Sequence, residues 1–487
     1  MPSLTDSWYR TWQHRLAAAS LTSLRGKKVL CAFNAVVDRV VDYSPEKFAF
    51  LFHRFQSDAT AVKRKSEREI NFVDSPQILA AALLRAFSTG KAMHLPLSAA
   101  LAQQLEQGLS RRERLGGQAG IIANQLTLLG AQGILYCKPL SPHLTSFFSP
   151  RVKFPTVSKS SFSGNREGNL NFVSVKEAAH RGDETISNWI IEFKAGDMLK
   201  FGSQIYVAPR SNRLILSSHK SIAPQFDEDV VHLLPELGRS VDAAIISGYH
   251  SLEQRYSDGT TYDYYLSLEE LYLRMLKAHK HIPVHVEFVS TPDKNIDKSI
   301  YAHIAQHVDS LGLNEIELVE LTHKLGFPNL GRAVARNENV VTLHAAAEKV
   351  IKQLDLQRLH VHSLGYSLIL VKKSPAVSHR YLRRQVISTL FGSLAATSRA
   401  MKGGEITRAD IASALSVPVS EIALQQMALM SHKLSLTKLR LENSLLSGIF
   451  DLADHYALIV PGQVAPITPR TVGLGDVISS CSFVAGL

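Results

Sequence analysis

The stretch PVHVEF at residues 283–288, followed further along by HVDSLGLNE at 307–315, sets the frame for the whole chain. Both are short apolar runs of the kind that form buried strands, and a helical stretch separates them. The alternation recurs in KKVLCAFNAVV (27–37), IIANQLTLLGA (121–131) before ILYCKP (134–139), DAAIISGYH (242–250) and LHVHSLGYSLILV (359–371). Strands alternating with helices imply an α/β fold, a mostly parallel sheet with helices on both faces. Ligands of such sheets gather at the carboxyl ends of the strands.

Two blocks depart from this rhythm. Residues from about 40 to 114 read as helical and highly charged, and 147–230 is rich in Ser, Asn and Lys, with alternating strands NLNFVSV, NWIIEFK, SQIYVAPR and LILSSHK. The expected organisation is therefore a large domain from 1–39, 115–146 and 231–487, and a smaller α/β domain from 40–114 and 147–230 acting as a lid.

The 487 residues are 45% apolar and 20% charged, an ordinary soluble composition with ample length for a core. Cys31, Cys137 and Cys481 lie far apart, which indicates neither a disulfide framework nor a cysteine zinc site. The amino-terminal stretch carries Asp, Arg and His where a signal peptide would be apolar, so a cytoplasmic location is expected. Formal charge is +11, yet only KRKSER (63–68) and RRER (111–114) are dense basic runs. These read as solvated helix faces, and no nucleic-acid or membrane partner is expected.

Several motifs carry chemistry. In Thr471-Val-Gly-Leu-Gly-Asp476 two glycines bring bare N–H groups close to an anion, a carboxylate follows, and a helix from Val477 onward would aim its positive end at the same point. Asn34 and Asp38 follow the first strand, where they can hydrogen-bond sugar hydroxyls. Gly116-Gly-Gln-Ala-Gly120 opens a helix, letting a substrate approach the backbone while Gln118 offers an amide. His285 and Glu287 share one face of a strand, as a water-mediated Mg²⁺ site or as a buried His–Glu contact. Asn314 and Glu317 share one helical face, as oxygen ligands of hydrated Mg²⁺ or as a capping pair. Arg358, His360 and His362 share a strand face that reads as a hydrogen-bonded wall of the core or of a nucleotide site.

Taken in order, Gly116–Gly120, Ser247-Gly-Tyr249, His285-x-Glu287, Asn314-x-x-Glu317, RLHVHSLGY (358–366) and Thr471–Asp476 resemble the ADP-dependent sugar kinases. This is the glucokinase and 6-phosphofructokinase group of the ribokinase superfamily, known mainly from archaea. The resemblance spans nearly the whole chain. It implies a ribokinase-like large domain with a lid, a kinase of modified glycolysis, and ADP as phosphoryl donor with Mg²⁺. By the same resemblance Asp476 is the base and Gly473 and Gly475 form the anion hole. Glu287, Asn314 and Glu317 serve the metal, Asn34, Asp38, Gly117 and Gln118 surround the sugar, and Arg213, His362, Val460 and Gly475 surround the nucleotide.

Departures from the family pattern bear on the acceptor. Val36 stands where the family usually has a second Asn, and His94 lies near a position that glucokinases fill with Glu. An imidazole cannot accept a glucose hydroxyl proton as a carboxylate does. Asn188 stands in place of a glucokinase His, and Lys194, Arg210 and Arg213 offer cations to a phosphate, or one arginine to ADP. The expected acceptor is fructose 6-phosphate, with glucose as the alternative, and the expected assembly is a monomer or weak oligomer.

Overall fold

The computed structural model describes residues 4–53, 59–90, 93–158, 169–217, 223–289, 291, 293–466 and 473–487. The first strands are β1 (Lys28–Phe33), β2 (Val36–Asp42), β3 (Met93–Pro96), β4 (Arg112–Gly116), β5 (Gln132–Cys137), β6 (Lys153–Ser158) and β7 (Asn169–Ser174). Next come β8 (Ser187–Phe193), β9 (Met198–Phe201), β10 (Gln204–Val207), β11 (Asn212–Ser217), β12 (Ala243–Ile246) and β13 (Val284–Glu287). The last are β14 (Ser310–Asn314), β15 (Arg358–Ser363), β16 (Tyr366–Lys372), β17 (Ile449–Asp451) and β18 (His455–Pro461).

An 11-stranded sheet runs in the order β17-β18-β16-β15-β14-β13-β12-β1-β5-β6-β7. From β15 through β1 to β6 every neighbouring pair is parallel, and the antiparallel pairs lie at the two edges. Helices cover both faces of the central strands, which explains their unbroken apolar runs: all four residues of β12 and all of β1 after Lys28 are buried. A 5-stranded sheet, β3-β11-β8-β2-β4, has its own apolar core built around Phe87, Trp189 and Phe193. The strands β9 and β10 form a separate antiparallel pair.

Sheet membership divides the chain differently from the expected boundaries. The hairpin β6–β7, expected in the smaller unit, extends the edge of the large sheet, and Phe154 stacks on Tyr136 of β5 with ring centroids 5.1 Å apart. Its polar flanks disguised an apolar anchor. The expected cuts at 39/40 and 114/115 each fall inside a strand of the smaller sheet, β2 and β4.

The two basic runs also differ from one another. KRKSER lies on the helix Ala59–Glu67 and the residue after it, as expected. RRER forms the start of β4, and it is ion-paired: Arg111 with Glu106 and Glu113, Arg112 with Asp42, Arg114 with Asp38 and Glu192. Among the described residues no helix is long and apolar enough to cross a membrane.

Candidate active site

A cleft of about 520 Å³ opens between the carboxyl ends of β13, β14 and β15 and the smaller sheet. The closing helix, Leu474–Ala485, points its amino terminus into it. That helix begins three residues earlier than Val477, because Gly473 takes a left-handed φ of 74° and caps it. Gly475 and Asp476 thus belong to the first turn, where backbone N–H groups lack helical acceptors. A Cβ on Gly475 would sit 2.8 Å from His362 Nε2, so the glycine lets the helix end approach β15. Thr471 and Val472 lie outside the described residues.

Asp476 is part-buried and lines the cleft. Gln118 Nε2 donates to its Oδ1 at 3.0 Å. Burial raises its pKa, while Gln118 and the Arg399 and Arg213 guanidiniums act the other way. Gly117, with φ of 75°, precedes the helix Gln118–Leu128, and both Gly117 and Gln118 face the cleft.

On the large-sheet side stand two further carboxylates. Burial, then the nearby Asp476 charge, pushes Glu287 well above the usual carboxylate range. Burial lifts Glu317 to about 8, with the Asn314 N–H opposing and Asp476 adding to the rise. Both alternatives raised for these motifs as structural contacts are present. His285 Nε2 lies 3.2 Å from Glu287 Oε2 and 3.1 Å from Ser479 Oγ, and its Nδ1 is 2.9 Å from Ser310 Oγ. Asn314 and Glu317 form a capping box: Asn314 Oδ1 accepts from Ile316 and Glu317 N–H, each at 2.9 Å, and Glu317 Oε2 accepts from Asn314 N–H at 2.8 Å.

Those contacts leave a cluster of carboxylates that resist ionising together. Neither Asp476 nor Glu317 has a Lys or Arg within ion-pair distance in any described contact, and each raises the pKa of Glu287. Hard oxygen donors gathered so closely that they raise one another's pKa fit a hydrated divalent cation such as Mg²⁺. Among the described residues no three His, Cys, Asp or Glu side chains converge closely enough to hold an ion directly, so water would complete the shell.

The opposite wall comes from the smaller sheet. His94 Nε2 is 2.5 Å from Ser217 Oγ, Ser217 donates to Asn188 Oδ1 at 2.9 Å, and Asn188 Nδ2 donates to Asp38 Oδ1 at 3.5 Å. Arg114 Nε stands 3.7 Å from Asp38 Oδ2. Arg213 is close enough to Glu192, Asp38 and Asp476 for all three to act on its charge. Asn34 Oδ1 accepts from Ala119 N–H at 3.3 Å, and its Nδ2 is 3.5 Å from His250 Nε2.

Three expected site residues lie elsewhere. Lys194 is exposed one residue beyond β8, at the end opposite Asn188, and its N–H donates to Asp197 at 2.7 Å. Arg210 is exposed, and its Nε donates to the Gly90 carbonyl at 2.7 Å, which fastens a turn behind the sheet. Val460 is buried in β18 opposite Ser367, within the sheet core. His362 does face the cleft, between Ser363 and Gly475, and burial lowers its pKa to about 4.

Sequence reasoning missed Ser217, His250, Arg114 and Arg399. Arg399 is 8% exposed on the helix His379–Lys402, and its Nη1 donates to Gln125 at 3.1 Å. A lone arginine after the small, apolar run LFGSLAATS is the signal that could have found it.

The conserved region described as "ADP-specific Phosphofructokinase/Glucokinase" matches residues 27–485. The chain is 30% identical to the ADP-specific phosphofructokinase of Pyrococcus furiosus, over 96% of this chain and 98% of that one. It is 31% identical to the ADP-specific phosphofructokinase of Methanosarcina acetivorans, over 98% and 97%. A solved ADP-dependent kinase in complex with fructose-6-phosphate and ADPβS superposes with a TM-score of 0.83 at 31% identity, covering 100% of this chain and 98% of that one.

Proposed function

Because the chain belongs to the ADP-specific phosphofructokinase/glucokinase family, we propose that it transfers the β-phosphoryl group of ADP to O1 of fructose 6-phosphate, releasing AMP and fructose 1,6-bisphosphate. The observation that carries the reading is Asp476, a part-buried carboxylate in the first turn of a helix that opens into the cleft. It stands between the acidic wall of Glu287 and Glu317 and the basic residue Arg213.

Asp476 accepts the proton of the O1 hydroxyl as that oxygen attacks phosphorus. Its raised pKa makes it a stronger base than a surface aspartate, and Gln118 fixes its direction. The N–H groups at Gly473 to Asp476 stabilise the equatorial oxygens of the transferring group, whose charge is already in place to be met. Glu317 and Glu287 would hold a hydrated Mg²⁺ through water, and that ion would supply charge neutralisation for the diphosphate. Asn34, Asp38 and Asn188 orient the sugar hydroxyls, and Arg213 and His94 face its phosphate. The smaller sheet closes as a lid over the large one, excluding the water that competes with O1 for the phosphoryl group.

Glucose is the second acceptor to test, since two of the three expected phosphate cations, Lys194 and Arg210, lie outside the cleft. The decisive assay supplies purified protein with Mg²⁺, fructose 6-phosphate or glucose, and either ADP or ATP. The reading expects fructose 1,6-bisphosphate with ADP and a loss of about 10²–10⁴ in kcat for Asp476→Asn. Product no greater than in that variant would sink it.

A further inference from the structure

A second cavity, of about 430 Å³, lies at the opposite end of the same strands. It opens beneath the amino ends of β1 and β12 to β15, beside the first turns of the helix His379–Lys402. Its volume falls in the range of about 300–1,000 Å³ typical of small-molecule sites. Lys27, Lys280, Arg358 and Arg384 line it.

Arg358 is the informative member. It is 4% exposed, and its guanidinium donates to Gln385 at 3.1 Å, Ser310 at 3.2 Å and Ser482 at 2.8 Å. These neutral acceptors satisfy its hydrogen bonds but supply no charge. No described carboxylate lies within ion-pair distance, although Glu287 acts on the guanidinium from further off, and burial lowers the pKa to about 10. A buried charge whose counter-charge stands beyond ion-pair distance is only partly compensated.

The two carboxylates at the rim are already engaged. Asp242 accepts from the Lys28 N–H at 2.8 Å, and Asp309 accepts from the Val284 N–H and from Lys277 Nζ, each at 2.8 Å. The helix beside the cavity adds an independent sign of the same deficit. Its first two turns carry His379, Arg380, Arg383 and Arg384, with no acid in the first turn. Cations at a helix amino terminus oppose the macrodipole, whereas an anion there is stabilised.

We propose that this cavity is a second anion site, which binds a small molecule bearing two or more phosphate charges at the end of the sheet opposite the cleft. Arg358 forms its floor, and Lys27 and Arg384 close over the ligand from the residue before β1 and from the helix. The site is independent of the catalytic reading, because it shares no lining residue with the cleft.

The probe is inorganic pyrophosphate, titrated calorimetrically into the full chain at constant ionic strength. Wild type is expected to take two equivalents, one in each cavity. The double variant Lys27→Ala/Arg384→Ala removes one, weakening it at least tenfold, while Arg213→Ala removes the other. A single equivalent in wild type that survives Lys27→Ala/Arg384→Ala overturns the proposal, as does the absence of any equivalent insensitive to Arg213→Ala. Arg358→Lys, which keeps the charge but loses the fork, is expected to weaken the same equivalent as that double variant.

Discussion

Replacing Asp38 by Asn should make the folded chain more stable at neutral pH while weakening its hold on the sugar. Asp38 is 3% exposed on β2. Burial lifts its carboxyl from an ordinary 3.8 to about 6, against the pull of Arg114, Asn188 and Arg213. The folded state therefore holds this proton more tightly than the unfolded chain does. The stability contributed by the protonated form is complete below about pH 4 and is lost as pH rises through 6. At about 1.4 kcal/mol per pH unit, the loss by pH 7.5 is about 3 kcal/mol. Asparagine keeps the shape and the link to Asn188 but has no proton to lose. Urea unfolding at pH 4.5 and 7.5 should show wild type losing about 2–3 kcal/mol more than Asp38→Asn over that interval. Glu287, Glu317 and Asp476 also titrate upward, but they are common to both proteins and cancel in the difference. The KM for the sugar should rise about tenfold, as expected for one charge-assisted hydrogen bond. Parallel stability profiles for the two proteins would refute the argument, because they would mean that Arg114 and Arg213 already cancel the burial of Asp38.

Glu317 near 8 implies that protons compete with Mg²⁺, so the Mg²⁺ concentration for half-maximal rate should fall about tenfold or more between pH 6.5 and 8.5. In Glu317→Gln that pH dependence should weaken, leaving the part due to Glu287, and the Mg²⁺ requirement should rise, as read from metal titrations of initial rate. His94→Glu should raise activity on glucose relative to fructose 6-phosphate in a substrate panel, and an unchanged ratio would remove His94 from the specificity argument. Gly475→Ala places a methyl group 2.8 Å from His362 Nε2, so kcat should fall at least tenfold while thermal stability shifts by only about 1–3 kcal/mol. A kinetically normal Gly475→Ala would show that the helix end need not approach β15.

What was legible followed from local rules. The parallel strands β12, β13 and β14 are buried on both faces, so VHVEF and its neighbours are apolar runs that no surface element would carry. The kinase family was legible because its motifs lie, in chain order, on the strand ends and helix starts that line the cleft. What was not legible depends on register between distant segments. Asn188 and Lys194 lie on or just after the same strand, yet β8 pairs Asn188 with Asp38 and carries Lys194 past the far edge. Ser217 reaches His94 and Asn188 only because β11 lies between β3 and β8. Arg114, read as a solvated charge, shares a face of β4 with Arg112, but the register sets their fates: Arg112 meets Asp42 at the exposed end of β2, whereas Arg114 stands opposite the buried Asp38.

The charges of the cleft are divided by sheet, and the division has a mechanical consequence. The large sheet and its closing helix contribute Asp476, Glu287 and Glu317, whereas Arg213 belongs to β11 of the smaller sheet. Arg213 nevertheless lowers the pKa of Asp476 across the gap. The ionisation of the base is therefore tied to the distance between the sheets. As they separate, that stabilisation weakens with distance and with the entry of water, which screens what remains. The same water relieves the burial that raises the pKa of Asp476, so the two opposing influences weaken together. As they approach, Arg213 favours the ionised carboxylate at the moment when the sugar hydroxyl is brought within its reach. In the closure proposed above, Arg213 thus offsets the burial that water exclusion imposes on Asp476, and it need not touch the transferred group to contribute to the rate.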